Sequence, residues 1–396
     1  MATYLFAWEL GYGLGHLVNL RPLVAGLSAR GHRVALVLRD LAKARSIFSG
    51  ENISCWQAPF KQHRTRHLGP TLNFAHILYE NGFCDSDELG SLGEAWRNIF
   101  RHVDPDVIVF DHSPTALLAA RGLRAKRVTL GTGFFLPPDQ APMPCTQPWL
   151  NPDPARLARD EQMVLDVANR VLASWQQPIL DRLAGLYYPS DEHLLVTFPE
   201  LDHYGARPGM HYWGAWSGGF GKTPVWPQAA GKKIYAYLKP FPQLAALLDV
   251  IRRSGNPAII FGNEIPDEIR RQFDGPTVCF ESEPLEIERV SRECDVAILN
   301  ANHGTLVSIL LAGKPSLQIP IYVEQSLLAM AIVRMGAGLA APPDQAAEIE
   351  RQFQRLLTDS STLPGAQQFA KRYSGFDQKR QIAEIVARLE VLAATP

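Results

Sequence analysis

The sequence has no excess charge of either sign, few cysteines and no long apolar run, and each shortage removes a class of protein. Lys plus Arg number 39 and Asp plus Glu 40, a formal charge of -1. A nucleic-acid binder ordinarily carries a basic excess, so no nucleic-acid partner is expected. Hydrophobic residues make up 46% and charged residues 20%, a balance too apolar for disorder. The five cysteines (Cys55, Cys84, Cys145, Cys279, Cys294) are odd in number and none lies at C-x-x-C spacing. That supports neither a zinc site nor a disulfide framework and fits a reducing compartment. No run reaches the roughly 18 to 20 apolar residues that cross a bilayer. The start, Met1 to Glu9, has no basic segment and meets a carboxylate early, unlike a signal peptide. A cytoplasmic protein with no transmembrane segment is the expectation.

What is present is length and rhythm. At about 150 residues per domain, 396 residues imply two to three domains. Tyr4 to Trp8 reads as a buried strand, followed by a Gly-rich turn and a helix with Leu17, Leu20, Leu23, Val24 and Leu27 on one face. Arg33 to Leu38, Val107 to Phe110 and Val128 to Leu130 are further apolar runs. The rhythm restarts with Ile234 to Leu238, Ala258 to Phe261, Val278 to Phe280, Val296 to Leu299 and Ser316 to Ile319. Strands alternating with helices imply βαβ units and a parallel sheet. The stretch from Phe198 to Pro227, dense in Gly, Pro and Trp, punctuates rather than forms elements. The expected class is α/β, two doubly wound Rossmann-like lobes facing across a cleft, with ligands beyond the carboxyl ends of the strands.

Gly11-Tyr12-Gly13-Leu14-Gly15-His16 follows the first strand and opens the first helix. A dinucleotide fingerprint needs Gly or Ala where His16 stands. The turn reads either as a tight strand-to-helix connection built on Gly13 and Gly15 or as the mount of a catalytic histidine. A histidine at a helix start faces the positive end of the macrodipole, which favours neutral imidazole. A general base also needs an orienting carboxylate. Asp111, ending the run Val107 to Phe110, would arrive at the same sheet edge as His16, with His112 as a substitute. Asp111 reads equally well as the N-cap of a helix starting at Ser113-Pro114.

The second turn is Asn300-Ala301-Asn302-His303-Gly304-Thr305, which leads from a strand into an apolar helix. Gly304 permits close backbone approach, the amides behind it form the positive helix end a diphosphate prefers, and Thr305 adds a hydroxyl. An ordinary capped helix has the same composition. Glu324-Gln325 follows the strand ending at Ile319-Pro320, with side chains able to read hydroxyl groups.

Together the two turns resemble the GT-B nucleotide-sugar glycosyltransferases, specifically the UDP-glycosyltransferase (family 1) group with its family 28-type bacterial relatives. Gly15-His16 is followed by Arg30-Gly31-His32-Arg33-Val34 at the family's interval. The donor-site signature is matched by Asn302-His303-Gly304-Thr305, Ala312-Gly313-Lys314-Pro315, Ile319-Pro320, Glu324-Gln325 and Leu328-Ala329. Thr197 to Asp202 with Tyr204 resembles the family's approach to its linker. The resemblance implies an N-terminal acceptor-binding domain (1-205), a linker (206-228), a nucleotide-sugar-binding domain (229-375) and a C-terminal helix (376-396) that can cross back to the first domain. It implies His16 as the base and Asp111 as its dyad partner. Asn302, His303, Gly304 and Thr305 would hold the diphosphate, and Glu324 with Gln325 the donor sugar. Transfer would be inverting and metal-independent, with a nucleotide sugar, expected to be a UDP-sugar, as co-substrate and no further cofactor. The triplets Asp85-Ser86-Asp87 and Asp104-Pro105-Asp106 read as caps or turns.

Five positions depart from the family, Lys239 standing where a Gly or Ser often follows the strand and Glu324 where Asp is usual, and three of them bear on activity. Asn300 replaces its usual His, Asn302 its Gly, and Ser308 the ribose-binding Glu of many members. These motivate an alternative, a nucleotide-sugar-binding protein without transferase activity. An epimerase of this fold would need additional carboxylates that find no matching set. The acceptor, a small molecule or a lipid, is tied to the segment Cys55 to Arg101, which mixes His63, Arg64, Arg66, His67 and His76 with Phe74, Tyr79, Phe83 and Trp96. Such a segment reads either as an acceptor wall or as a solvated loop before an amphipathic helix. Gln378 to Leu392 is amphipathic through Ile382, Ile385, Val386 and Leu389 and is expected to pack on the protein.

Overall fold

A computed structural model describes every residue except Leu14, Lys43, 49-52, 63-67, Gly218, Phe220, Asn263 and Pro396. The chain divides into two compact units, Met1–Gly214 with Asp377–Pro396, and Ala215–Phe376.

The first unit is built on six strands: β1 (Thr3–Trp8), β2 (Arg33–Leu38), β3 (Ile53–Gln57), β4 (Val107–Asp111), β5 (Lys126–Gly131) and β6 (Glu192–Leu195). All pair in parallel, in the order β3-β2-β1-β4-β5-β6. The second unit repeats the plan with β7 (Ile234–Tyr237), β8 (Ala258–Phe261), β9 (Val278–Glu281), β10 (Val296–Leu299), β11 (Ser316–Gln318) and β12 (Gly338–Ala340). Its order is β12-β11-β10-β7-β8-β9, again all parallel. Each is a doubly wound sheet with one switch point, between β1 and β4 in the first unit and β7 and β10 in the second. The inner strands are the continuous apolar runs of the sequence, because helices cover both faces of a parallel sheet. Val107 to Asp111 is buried at every position.

The helix Gln378–Ala394 belongs to the first unit. Asp377 caps it by accepting from the amides of Lys379 and Arg380. Its buried residues Ile385, Val386 and Leu389 form the inner stripe, and it packs on the helix Gly15–Ala29. Glu390 receives His32 Nε2 at 2.9 Å and pairs with Arg30. The Arg30-Gly31-His32 run therefore docks the C-terminal helix. Gly26 permits the approach, since a Cβ there would lie 2.9 Å from Val386 Cγ2. Among the described residues, no helix is long and apolar enough to cross a membrane.

Replacing Gly26 with isoleucine should cost about 1–3 kcal/mol by overpacking this contact. The urea midpoint measures it, and an unchanged midpoint would show that the helix contact contributes nothing.

Candidate active site

At the switch point of the first unit, Trp8 closes β1 and pairs with Asp111, the last residue of β4. The chain leaves β1 through the glycine turn and enters the helix Gly15–Ala29, whose second residue is His16. These two exits bring His16 Nδ1 to 2.9 Å from Asp111 Oδ2, with both side chains buried. Ionised carboxylate accepts only, so Nδ1–H donates and Nε2 is left as the basic nitrogen. The imidazole stacks on Trp8 at 5.0 Å and tilts against Phe135 at 5.2 Å.

Gly11 sets the room around Nε2. Its φ is +86°, and a Cβ there would stand 2.4 Å from His16 Nε2. Gly13, at φ +93°, needs glycine for its backbone alone, whereas Gly15 has neither a positive φ nor a close neighbour. His112 does not replace Asp111 at Nδ1. It occupies the left-handed region at φ +46°, its carbonyl accepts from the Leu10 amide, and its ring stacks on Phe135 at 4.1 Å.

Asp111 is not a helix cap. The helix Pro114–Ala119 has Ser113 as N-cap with no side-chain bond, and its first amides are taken by Glu9. The Glu9 carboxylate accepts from Thr115 N at 2.8 Å and Ala116 N at 3.1 Å. Arg39 in turn donates to the Glu9 carbonyl at 2.7 Å. Burial drives the Glu9 carboxyl up to about 7, while the two amides pull the other way. Glu9 thus staples the turn before His16 to the segment after Asp111. Sequence reasoning gave it no role, because a lone acid at a strand end has no motif.

Phe135 is fixed from farther along the chain. Asp202 is buried and pairs with Arg207, whose Nη2 donates to Oδ1 at 3.0 Å, while Oδ2 accepts from the Tyr212 hydroxyl at 2.8 Å. Arg207 also donates to the carbonyls of Leu136 at 2.6 Å and Gly133 at 3.1 Å. The Thr197 to Asp202 run thereby pins the loop that walls the imidazole. From the Cys55 to Arg101 segment, Phe74 reaches the site, 6.0 Å from the His112 ring. His76 is taken up by the Leu72 amide and by Asp160. His63, Arg64, Arg66 and His67 lie outside the described residues.

The switch point of the second unit is organised by Asn300. Its Oδ1 accepts from Lys239 N at 2.6 Å, and its Nδ2 donates to the Ile319 carbonyl at 2.7 Å. One carboxamide thus joins the ends of β7, β10 and β11. Ala301 follows at φ +53°. Asn302 is the N-cap of the helix His303–Leu311 without a side-chain capping bond, and among the described residues its Oδ1 has no hydrogen-bond partner. Gly304 has open space where a side chain would be, and Thr305 is half-buried beside it. Ser308 bonds back to the Gly304 carbonyl at 3.1 Å, and Lys239 Nζ is 3.2 Å from Glu264. Glu324 is half-buried in the first turn of the helix Val323–Arg334. Gln325 is buried with its Oε1 accepting from the Ile321 amide at 2.8 Å, so that oxygen braces the Pro320 turn. Among the described residues, no three His, Cys, Asp or Glu side chains gather as a metal site. Asp85 caps a helix, and Asp106 accepts from Thr3 N.

The architecture is that of GT-B glycosyltransferases, two Rossmann-like units on one chain. The glycosyltransferase VinC, solved in complex with dTDP, is similar over 100% of both chains, with 16% identity and a TM-score of 0.69. The spinosyn rhamnosyltransferase SpnG matches over 100% of both chains at 16% identity and 0.66. It has been solved with thymidine diphosphate and with spinosyn aglycone. The glycosyltransferase SnogD from Streptomyces nogalater gives 18% identity and 0.60 over 99% of each chain. No protein-family model and no curated protein sequence matches the chain.

Glu9 yields a prediction about stability. Its proton is held more tightly folded than unfolded, so its contribution is fully present below pH 4.5 and is lost as pH rises to about 7. Across that window the protein should lose roughly 3 kcal/mol relative to the Glu9→Gln variant. Urea denaturation at several pH values measures the difference, and parallel curves for the two proteins would refute it.

Proposed function

We propose that the chain is an inverting glycosyltransferase that moves a sugar from a nucleoside-diphosphate donor to an acceptor hydroxyl. The observation that carries this reading is the buried 2.9 Å contact between His16 Nδ1 and Asp111 Oδ2 at a sheet switch point. In this reading His16 Nε2 removes the acceptor's hydroxyl proton as the oxygen attacks the anomeric carbon. The bond from that carbon to the diphosphate oxygen breaks, and a single back-side displacement inverts the centre. The imidazolium so formed is balanced by Asp111.

The second unit binds the donor. Asn302, His303, Gly304 and Thr305 hold the diphosphate at the start of the helix His303–Leu311. Its leaving charge is met by amides and side chains rather than by a metal. Glu324 reads the donor sugar's hydroxyls, with Gln325 contributing its nitrogen. The similarity to VinC and SpnG, both solved with thymidine diphosphate, supports a pyrimidine donor. A thymidine nucleotide lacks the ribose 2′-hydroxyl and so asks less of Ser308 than a uridine nucleotide does. dTDP-sugars therefore stand beside the UDP-sugars that the sequence resemblance implies.

The test is a panel of dTDP- and UDP-sugars with pooled hydroxylated acceptors, read by mass spectrometry. His16→Ala should lower kcat about 10²- to 10⁴-fold and leave calorimetric dTDP binding unchanged, and a chelator should have no effect. Nucleotide binding without turnover of any donor would replace this reading with that of a nucleotide-sugar-binding protein.

A further inference from the structure

Glu9 follows β1, is 1% exposed, and takes no part in the proposed chemistry. A carboxyl group in such a place is either richly hydrogen-bonded or neutral. Three donors meet it, all from the start of the helix Pro114–Ala119. The amides of Thr115 and Ala116 take one oxygen each, at 2.8 and 3.1 Å, and the Thr115 hydroxyl adds a third bond. Burial outweighs these donors and lifts the carboxyl to about 7, so both protonation states are populated near neutrality.

The two states differ in what they hold together. Ionised, each oxygen accepts from an amide. As the acid, one oxygen carries a proton that confronts the incoming N–H, and one of the two bonds is lost. The segments so joined are the turn leading to His16 and the stretch after Asp111. A further bond between them, from the Leu10 amide to the His112 carbonyl at 3.0 Å, remains in both states. Loss of one carboxyl bond therefore leaves the turn able to pivot on that backbone tie. His16 and Asp111 lie one on each joined segment, so the pivot acts on their 2.9 Å contact.

Several elements bring charged or titratable groups to this joint. Arg39, after β2, donates to the Glu9 carbonyl and to the Tyr12 hydroxyl, and its charge favours the carboxylate. A guanidinium keeps its charge throughout the range near neutrality. Tyr187, after the turn Leu183–Leu186, is held neutral by burial, and the charge on Glu9 adds to that effect. His16, Asp111 and His112 belong to the joined segments themselves. Histidine rings titrate in the same range as Glu9, so a test must read them separately.

We propose that Glu9 is a proton-operated positioning residue: as a carboxylate it clamps the His16 turn to the segment after Asp111 through both oxygens, and on taking up a proton it releases one and loosens the dyad. Its effect on transfer rests on the transferase reading, whereas its effect on the contact between His16 and Asp111 does not.

Nitrogen-15 NMR of the full chain labelled at histidine tests it, from about pH 5.5 to 8.5. Correlations from the ring C–H protons read Nδ1 and Nε2 individually, and His16→Ala assigns the signals. Protonation of the imidazole itself moves Nε2, whereas a change in the bond to Asp111 appears at Nδ1. The Nδ1 shift should step with a midpoint of about 7, and Glu9→Gln should abolish that step. Thr115→Val removes one donor to the carboxylate and keeps both amides, so it should move the midpoint up by about half a unit.

Superimposable curves for the wild type and Glu9→Gln would overturn the proposal, as would an unmoved midpoint in Thr115→Val. The valine variant decides alone if the glutamine variant does not fold. A merely structural role for Thr115 would lower its melting temperature and leave the midpoint in place. Where a donor and acceptor turn over, Glu9→Gln should lower kcat about tenfold at about pH 8 and leave KM unchanged. The NMR step in a protein that transfers no sugar would uphold the clamp and remove only its effect on transfer.

Discussion

The hydrogen bond from His16 to Asp111 decides what the rest of the first unit must provide. An imidazole can present either nitrogen, and a fixed tautomer requires a fixed partner on the other one. The partner sits on a different strand, so the turn after β1 and the end of β4 must be held in one mutual position. Trp8 pairing with Asp111 sets the strand register, and Glu9 ties the two exits by its amide bonds. Phe135 presses on the ring from a loop that Arg207 anchors. Trp8 and Glu9 are buried and Phe135 and Arg207 half-buried, and each acts on the dyad by holding its geometry.

The second unit solves a similar mechanical problem with a neutral side chain. Its fourth strand, β10, also ends beside its first, β7, and Asn300 bonds to both neighbouring strand ends. In both units a non-glycine residue in the left-handed region follows the fourth strand, His112 at φ +46° and Ala301 at φ +53°. Such backbone costs on the order of 1–3 kcal/mol and persists only where its surroundings impose it. The two costs fall at the two places where a doubly wound sheet offers a ligand site.

Much of this was legible in the chain because a parallel sheet buries its inner strands on both faces and so spells them as apolar runs. The strands that escaped reading are β3, β6 and β12, all at sheet edges. β3 is largely exposed along its length, while Glu192–Leu195 and Gly338–Ala340 are too short to show a pattern. His16 and Asp111 could be paired from position alone, since both follow strands to the same edge. Glu9 could not, because its partners are backbone amides that any residues would supply. Asn300 was visible as a departure from a family pattern, but its two bonds depend on the spacing of three strand ends, which no linear motif encodes. Gln325 shows the reverse: a motif residue whose carbonyl oxygen is occupied by its own chain.

The return of Asp377–Pro396 to the first unit makes the second unit an insertion, connected at two points rather than one. During synthesis the helix Gly15–Ala29 emerges from the ribosome some 350 residues before the segment that covers it. Until Gln378–Ala394 has been made, the face around Gly26 has no covering helix, whereas Ala215–Phe376 is contiguous and can complete its own core first. The nascent order of assembly is therefore inverted relative to the order of the sequence. A chain cut before Asp377 would keep the whole of the second sheet and leave the histidine-bearing unit with an open seam.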